Sequence, residues 1–552
     1  MIKIKLLFLT FLLLFGAIIV KLFIIQIIHP VSSNDAYLHT NKIYPERGLI
    51  MDRNNAPLAL NQNSYQLYIE PKNIGNKFEV AQKISAILGE PEASIEARID
   101  DTKVWVAIQS GIDEDKKKAI DALNLPGVGF DYQMKRYYPE ASLSAHLLGF
   151  VGKNTAGEDV GYFGLEGYYD DDLKGLPGLM ESERDLAGQP ILIGTQQRVA
   201  PENGRNLILT IDKTVQEVNK RNLKEGMDLY KAKQGCAITA DPMTMQILAL
   251  VCLPDYDASQ YFLYSEADFK NPAISDLFEP GSIFKPLIMA AAIQEKKIKP
   301  DDTYNETGPV NVSGYNIQTW DNTYKGWITM TQILEKSSNV GMVYVGSKLG
   351  NNLTYSYIKK FGFGHPTGID LQGEVGGYIP PQSQWYPIDY ATVTFGQGIA
   401  MTPIQIIRAF ASVINGGQLL KPYVVEKMVS PAKTNVISPK VEGRVISDWT
   451  SAVIRKMLVS VVKHGEVHWA RPAGYSMGGK TGTAQIPIQG HYDPNKTIAS
   501  FIGFAPADQP KFITMVMLRE PQASEWGSET AAPIFFNIAK DLIVYYNIAP
   551  DQ

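Results

Sequence analysis

The stretch Leu287-Ile-Met-Ala-Ala-Ala-Ile293 is apolar on every face of a helix. Such a helix has no side to turn to water, so protein must enclose it. A chain of 552 residues is also too long for one ordinary core, so two or more domains are expected. Just before the stretch, Glu279-Pro-Gly281 forms a turn that places Ser282 at the helix start. Pro286 then falls in the first turn, where its missing N–H does no harm.

Composition narrows the chemistry. The net charge of −5 gives no basic face for nucleic acid. Seven histidines are scattered with no His-x-x-x-His pair on a helical face, and two cysteines cannot make a four-ligand metal site, so no metal is expected. Cys236 and Cys252 flank an expected hairpin. A bulge at its turn is expected to put them on opposite faces, leaving two free, buried thiols.

Leu6 to Val20 is an apolar run, extended past Lys21 by Leu22 to Ile28. About 20 apolar residues cross a bilayer, and Lys21 can snorkel to an interface. Lys3 and Lys5 set a cytoplasmic N-terminus. No small-x-small cleavage site follows, so residues 6–28 read as an uncleaved anchor after a short tail, 1–5. The bulk of the chain then lies outside.

From about Asn34 to Pro201, short apolar runs alternate with polar turns such as Lys174-Gly-Leu-Pro-Gly178, an elongated α+β module over 34–201. Gln197 to Arg205 reads as a linker to a second domain, 206–549. There Asn206 to Asp212 reads as a strand, followed by a helix through Tyr230. Cys236 to Ala240 and Ile247 to Val251 read as a hairpin. A helix-rich middle runs from Ser282 to about Val413. Ala499 to Phe504 and Phe512 to Leu518 read as strands, and Ala531 to Ile548 as an amphipathic helix. A sheet drawn from both ends of a domain around a helical insert is an α+β layout.

Three motifs carry the chemistry: Ser282-Ile-Phe-Lys285, Ser337-Ser-Asn339 and Lys480-Thr-Gly-Thr483. Ser-x-x-Lys recurs at Ser356/Lys359, Ser430/Lys433 and Ser460/Lys463, and Ser-x-Asn at Ser32/Asn34. Only Ser282 starts a buried helix, whose free N–H groups favour a developing oxyanion. The i, i+3 spacing stacks Lys285 over Ser282, within reach of its hydroxyl proton. Ser337 and Asn339 fall where the helical pattern Thr329 to Lys336 breaks, a position that taken alone favours a helix N-cap. Gly478, Gly479 and Gly482 around Lys480 allow close approach to a strand, along which a peptide could pair.

These motifs, in this order, resemble the penicillin-binding protein and serine β-lactamase superfamily, and Ser-Ser-Asn resembles its class B penicillin-binding proteins. Glu46 to Arg53, Arg136-Tyr-Tyr-Pro139, Gly164-Leu-Glu-Gly167, Asp185-Leu-Ala-Gly188, Phe395-Gly-Gln-Gly398 and Ser500 to Pro506 look like the same family. The resemblance implies a transmembrane anchor, a pedestal and a transpeptidase domain, α+β throughout. It implies that Ser282 is acylated by a peptidoglycan stem peptide, with Lys285 as base. Ser337 then relays a proton, Asn339 orients Lys285, and Lys480 with Thr481, Gly482 and Thr483 binds the substrate. It implies no cofactor, with β-lactams as covalent inhibitors and lipid-linked precursor strands as substrates. A polytopic membrane glycosyltransferase and other divisome proteins are the implied partners. The Glu520-Pro-Gln-Ala523 to Pro533 stretch resembles the septal type more than the elongation type; a non-catalytic scaffold is the other alternative. Two departures stand out. Met245 replaces a hairpin glycine, and Gly465-Glu-Val-His468 replaces Gly-Thr-Gly.

Overall fold

A computed structural model describes residues 2–24, 27, 38–140, 143–183, 196–488 and 491–551. Asp185-Leu-Ala-Gly188, Ser32/Asn34 and part of the expected anchor lie outside the described residues. Contacts divide the chain into two compact units.

The first unit comprises Met1–Gly48 and Lys174–Gly204. Its three-stranded antiparallel sheet is formed by Leu38–Ile43, Gly178–Glu183 and Gln196–Val199 in that order. The helix Ile2–Phe23 exposes Leu7, Phe8, Phe11, Leu12 and Phe15. Among the described residues, no helix is long and apolar enough to cross a membrane.

The second unit comprises Leu49–Leu173 and Arg205–Gln552. One of its sheets has seven strands. Asn206–Leu209 is central there, parallel to Ile50–Met51 and antiparallel to Val425–Val429. Asp52, almost wholly buried, fixes this junction by accepting the N–H groups of Asn54, Ala56 and Lys213. Nearby, Arg136 donates to Glu166 at 2.7 Å, a buried ion pair.

The other main sheet carries the site. Its strands are β1 (Gln234–Ala240), β2 (Ile247–Leu253), β3 (Gly478–Ile488), β4 (His491–Ala505) and β5 (Phe512–Arg519), in the antiparallel order β2-β1-β5-β4-β3. Alternate residues face opposite ways along a strand. Ala237, Val251, Phe501 and Val516 therefore pack on the first helix, α1 (Lys213–Tyr230), and on the last, Ala531–Tyr545. Ile238, Leu250, Ile502 and Met515 face the helical middle.

At the heart of that middle is α2 (Lys285–Gln294), where every residue from Lys285 to Ile293 is buried. The all-round apolar pattern is thus enclosed as expected, each large aliphatic side chain contributing about 1.5–3 kcal/mol. Around it pack α3 (Met330–Glu335), α4 (Asn339–Leu349), α5 (Pro403–Ile414) and α6 (Asp448–His464).

The cysteine expectation is overturned. Cys236 and Cys252 lie directly opposite each other, with Cα atoms 4.1 Å apart, and are disulfide-bonded. The turn pairs Ala240 with Ile247, and a bulge next to it then pairs Thr239 with Ala249. The bulge therefore brings the cysteines into register rather than out of it. Met245 takes the positive φ of a hairpin glycine, at 58°, and its side chain is fully buried.

Candidate active site

Ser282 lies on a short 3-10 turn, Gly281–Phe284, which runs directly into α2. The turn is held from two sides. Gly281, at φ +57°, donates its N–H to Gly396 O at 3.0 Å. A Cβ on Gly281 would come within 2.9 Å of Thr483 O, on β3. Gly482 is as restricted: a Cβ there would meet Ser500 Oγ at 2.5 Å and Ile283 Cγ2 at 3.0 Å. Glycine at 281 and 482 thus lets the turn bearing Ser282 lie against the edge strand.

Lys285, one turn beyond Ser282, is fully buried. Its Nζ donates to Ser337 O at 2.5 Å, Asn339 Oδ1 at 2.8 Å and Ser337 Oγ at 3.2 Å. Burial, and then the nearby ammonium of Lys480, hold its pKa well below the usual lysine range, against the opposing pull of Glu466 and Glu306. Lys480 is itself buried and its pKa lowered by burial, again opposed by Glu466.

The Ser-Ser-Asn motif divides its labour. Ser338 is the N-cap of α4, accepting Gly341 N at 2.8 Å while its hydroxyl donates to the buried Glu306. Ser337, bent to φ +53° between α3 and α4, and Asn339, first in α4, face Lys285 instead. The cap expected of Ser337 or Asn339 is thus supplied by Ser338 between them.

On β3, Lys480 Nζ donates to Thr481 Oγ1 at 2.9 Å, and Thr481 Oγ1 donates to Glu466 Oε2 at 2.8 Å. Thr483 Oγ1 accepts the N–H of Gly527 at 3.1 Å. Ser282, Ser337, Asn339, Thr481, Gly482 and Thr483 line one cleft of about 170 Å³. Trp320 and Trp526 stand against each other at its wall, ring centroids 5.1 Å apart.

The other Ser-x-x-Lys pairs are elsewhere. Ser356 lies on the helix Asn351–Lys360. Ser430 closes a turn with Lys433, and Ser460, on α6, donates to Glu335 at 2.5 Å. Sequence reasoning missed Trp320, Trp526 and Glu306, which carry no local pattern. It marked Glu466 only as a departure.

A strand-edge cleft holding a helix-start serine, a buried low-pKa lysine and a second lysine is an acyl-transfer site. The family model described as penicillin binding protein transpeptidase domain matches residues 235–540, and that described as penicillin-binding protein dimerisation domain matches residues 42–209. The chain belongs to the penicillin-binding protein transpeptidase family, in its class B form with a dimerisation domain. It is 34% identical over 527 residues to stage V sporulation protein D of Bacillus subtilis, covering 94% of this chain and 81% of the relative. It is 30% identical over 527 residues to peptidoglycan D,D-transpeptidase FtsI of Escherichia coli, covering 93% and 86%. The structure of penicillin-binding protein 3 of Mycobacterium tuberculosis complexed with aztreonam superposes with a TM-score of 0.72 at 26% identity, covering 93% and 98%.

Proposed function

We propose that this chain is a peptidoglycan D,D-transpeptidase acting through a Ser282 acyl-enzyme. The observation that carries the reading is Lys285, fully buried one turn from Ser282 and bound to Ser337 and Asn339. As a neutral amine, Lys285 takes the hydroxyl proton while Ser282 Oγ attacks the carbonyl of the penultimate D-Ala. The contact with Ser337 Oγ suits a relay that passes this proton to the departing amine. The C–N bond breaks, terminal D-Ala leaves, and Ser282 holds the stem as an ester. An acceptor stem's amine then attacks the ester. It gives its proton to Lys285, which returns it to Ser282, and the crosslink is closed. Asn339 orients Lys285, and the N–H groups of Ser282 and Thr483 form the oxyanion hole. Lys480, Thr481, Gly482 and Thr483 receive the donor's carboxylate.

In this reading residues 6–28 anchor the chain, the tail 1–5 being cytoplasmic. Residues 34–201 form the pedestal, 206–549 the transpeptidase domain, both outside the membrane. The exposed apolar side chains of the helix Ile2–Phe23 support the anchor. The septal role is supported by the likeness to FtsI; a membrane glycosyltransferase and divisome proteins are the partners proposed with it. Fluorescent penicillin tests the chemistry: Ser282→Ala should not label, Ser337→Ala should label slowly, and Ser356→Ala, Ser430→Ala and Ser460→Ala should label normally. Covalent labelling of Ser282→Ala would overturn the assignment, and failure of the wild type to label would favour a scaffold. Depletion should give filaments; spherical dividing cells would assign the elongation role.

A further inference from the structure

Glu466 stands in the cleft without a part in the transpeptidase reading. It lines the cleft together with Ser282 and Thr483. Its segment, Gly465-Glu-Val-His468, follows α6 and lies far in sequence from Ser282. A threonine hydroxyl has one proton to donate. Thr481 accepts from the Lys480 ammonium and spends that proton on Glu466 Oε2, at 2.8 Å. It has none left for a ligand unless the bond to Glu466 breaks. Thr483 differs: its oxygen accepts from Gly527 N, and among the described residues no acceptor takes its proton, which is left for the cleft.

We propose that Glu466 is a specificity-determining residue that competes with the acyl donor's carboxylate for Thr481, and so weakens capture of anionic donors. Two effects act together. The donor's carboxylate must displace Glu466 from the Thr481 hydroxyl, and it must approach a like charge. Glu466 also offsets the positive charge of Lys480, the group that otherwise attracts an anion. An acyl donor without that carboxylate meets neither obstacle. The inference rests on the reading that Ser282 is acylated by donors whose carboxylate reaches Thr481 and Thr483.

The experiment compares benzylpenicillin with its methyl ester, which lacks the carboxylate. Second-order acylation rates are measured for wild type, Glu466→Gln and Glu466→Thr, with thermal melting as a check on folding. Glu466→Thr should acylate faster with benzylpenicillin by about tenfold, the range for a hydrogen bond to a charged group, and Glu466→Gln by less, because its amide oxygen still accepts from Thr481. Loss of the Glu466 charge also lowers the Lys285 pKa, an effect that both donors share, so the gain with the ester should be several-fold smaller than with the acid. The variants should therefore raise the acid-to-ester rate ratio, a readout that a general loosening of the cleft leaves unmoved. An unchanged or lowered ratio in a folded variant overturns the proposal and makes Glu466 a support for Lys480 and Thr481. If Glu466→Gln melts early, Glu466→Thr decides by the same ratio. Failure of the wild-type protein to acylate at Ser282 at all would instead overturn the transpeptidase reading.

Discussion

Gly396 sets the position of Ser282 from outside the three motifs. A Cβ at this residue would lie 2.3 Å from Gly281 O, 2.8 Å from its N and 2.9 Å from its C. All three are backbone atoms, so no side-chain rotation relieves the clash. An ordinary carbon–oxygen approach is about 3.3 Å, so in Gly396→Ala the Gly281 peptide must retreat by about 1 Å. Ser282 is the next residue and moves with it. A 1 Å misplacement of a reacting group costs about 100-fold. The substitution also strains the backbone, since Gly396 has φ +81°, and that alone costs about 1–2 kcal/mol of stability. Gly398→Ala separates the two effects. Its φ is +79°, but its Cβ would meet only Thr392 Oγ1, at an easy 3.7 Å. Both variants should melt earlier than wild type. In a stopped-flow acylation assay with fluorescent penicillin, Gly396→Ala should be slower by about 100-fold, and Gly398→Ala should stay within a fewfold of wild type. Equal rates for the two variants would refute the argument that this contact positions Ser282.

Acylation should rise with pH as Lys285 loses its proton. Burial and Lys480 lower that pKa, so the rise should fall below the ordinary lysine value of about 10.4. Lys285→Arg stays protonated and should lose the rise and about two to four orders of magnitude in rate; a wild-type rate would remove Lys285 as the base. Met245→Gly relieves a positive φ worth about 1–2 kcal/mol but deletes a fully buried side chain worth about 2–5 kcal/mol. Urea unfolding should therefore show a net loss, and a gain would mean that backbone strain dominates at this turn. Thiol titration of the unfolded protein should find none before reduction and two after. Cys252→Ala should cost about 3 kcal/mol, the loop-closure value for a separation of 16 residues; two reactive thiols without reductant would contradict the bond.

The motifs were legible because local spacing fixes them. Ser282 and Lys285 are one turn apart on a helix whose burial its composition announces. Gly482 is small because the turn bearing Ser282 lies against it. The hairpin, the last two strands and the closing helix were also readable from runs of apolar residues. What escaped depends on long-range geometry. Trp320 and Trp526 meet across the cleft wall from distant segments. Glu306 reaches Ser338, a helix cap, from the strand Thr303–Glu306. The cysteine pairing turned on the direction of a one-residue register shift, which the positions of two bulge-flanking cysteines do not encode.

The order β2-β1-β5-β4-β3 has a consequence for how the protein is made. Thr239 on β1 bonds to Thr514 on β5 across 275 residues. At about 5–20 residues per second, the ribosome delivers that partner roughly 15–55 s after the first hairpin emerges. Until then one long edge of the hairpin is unpaired and apolar, a surface that invites other chains. Contacts this distant also slow folding, because the loop must close before it is stabilised. A holding factor should therefore favour the nascent chain over the finished one. A polypeptide stopped before Phe512 has already acquired Ser282, Lys285, Asn339 and Lys480. Without β5, though, its two hairpins remain separate, and Ser282 has no sheet to settle on.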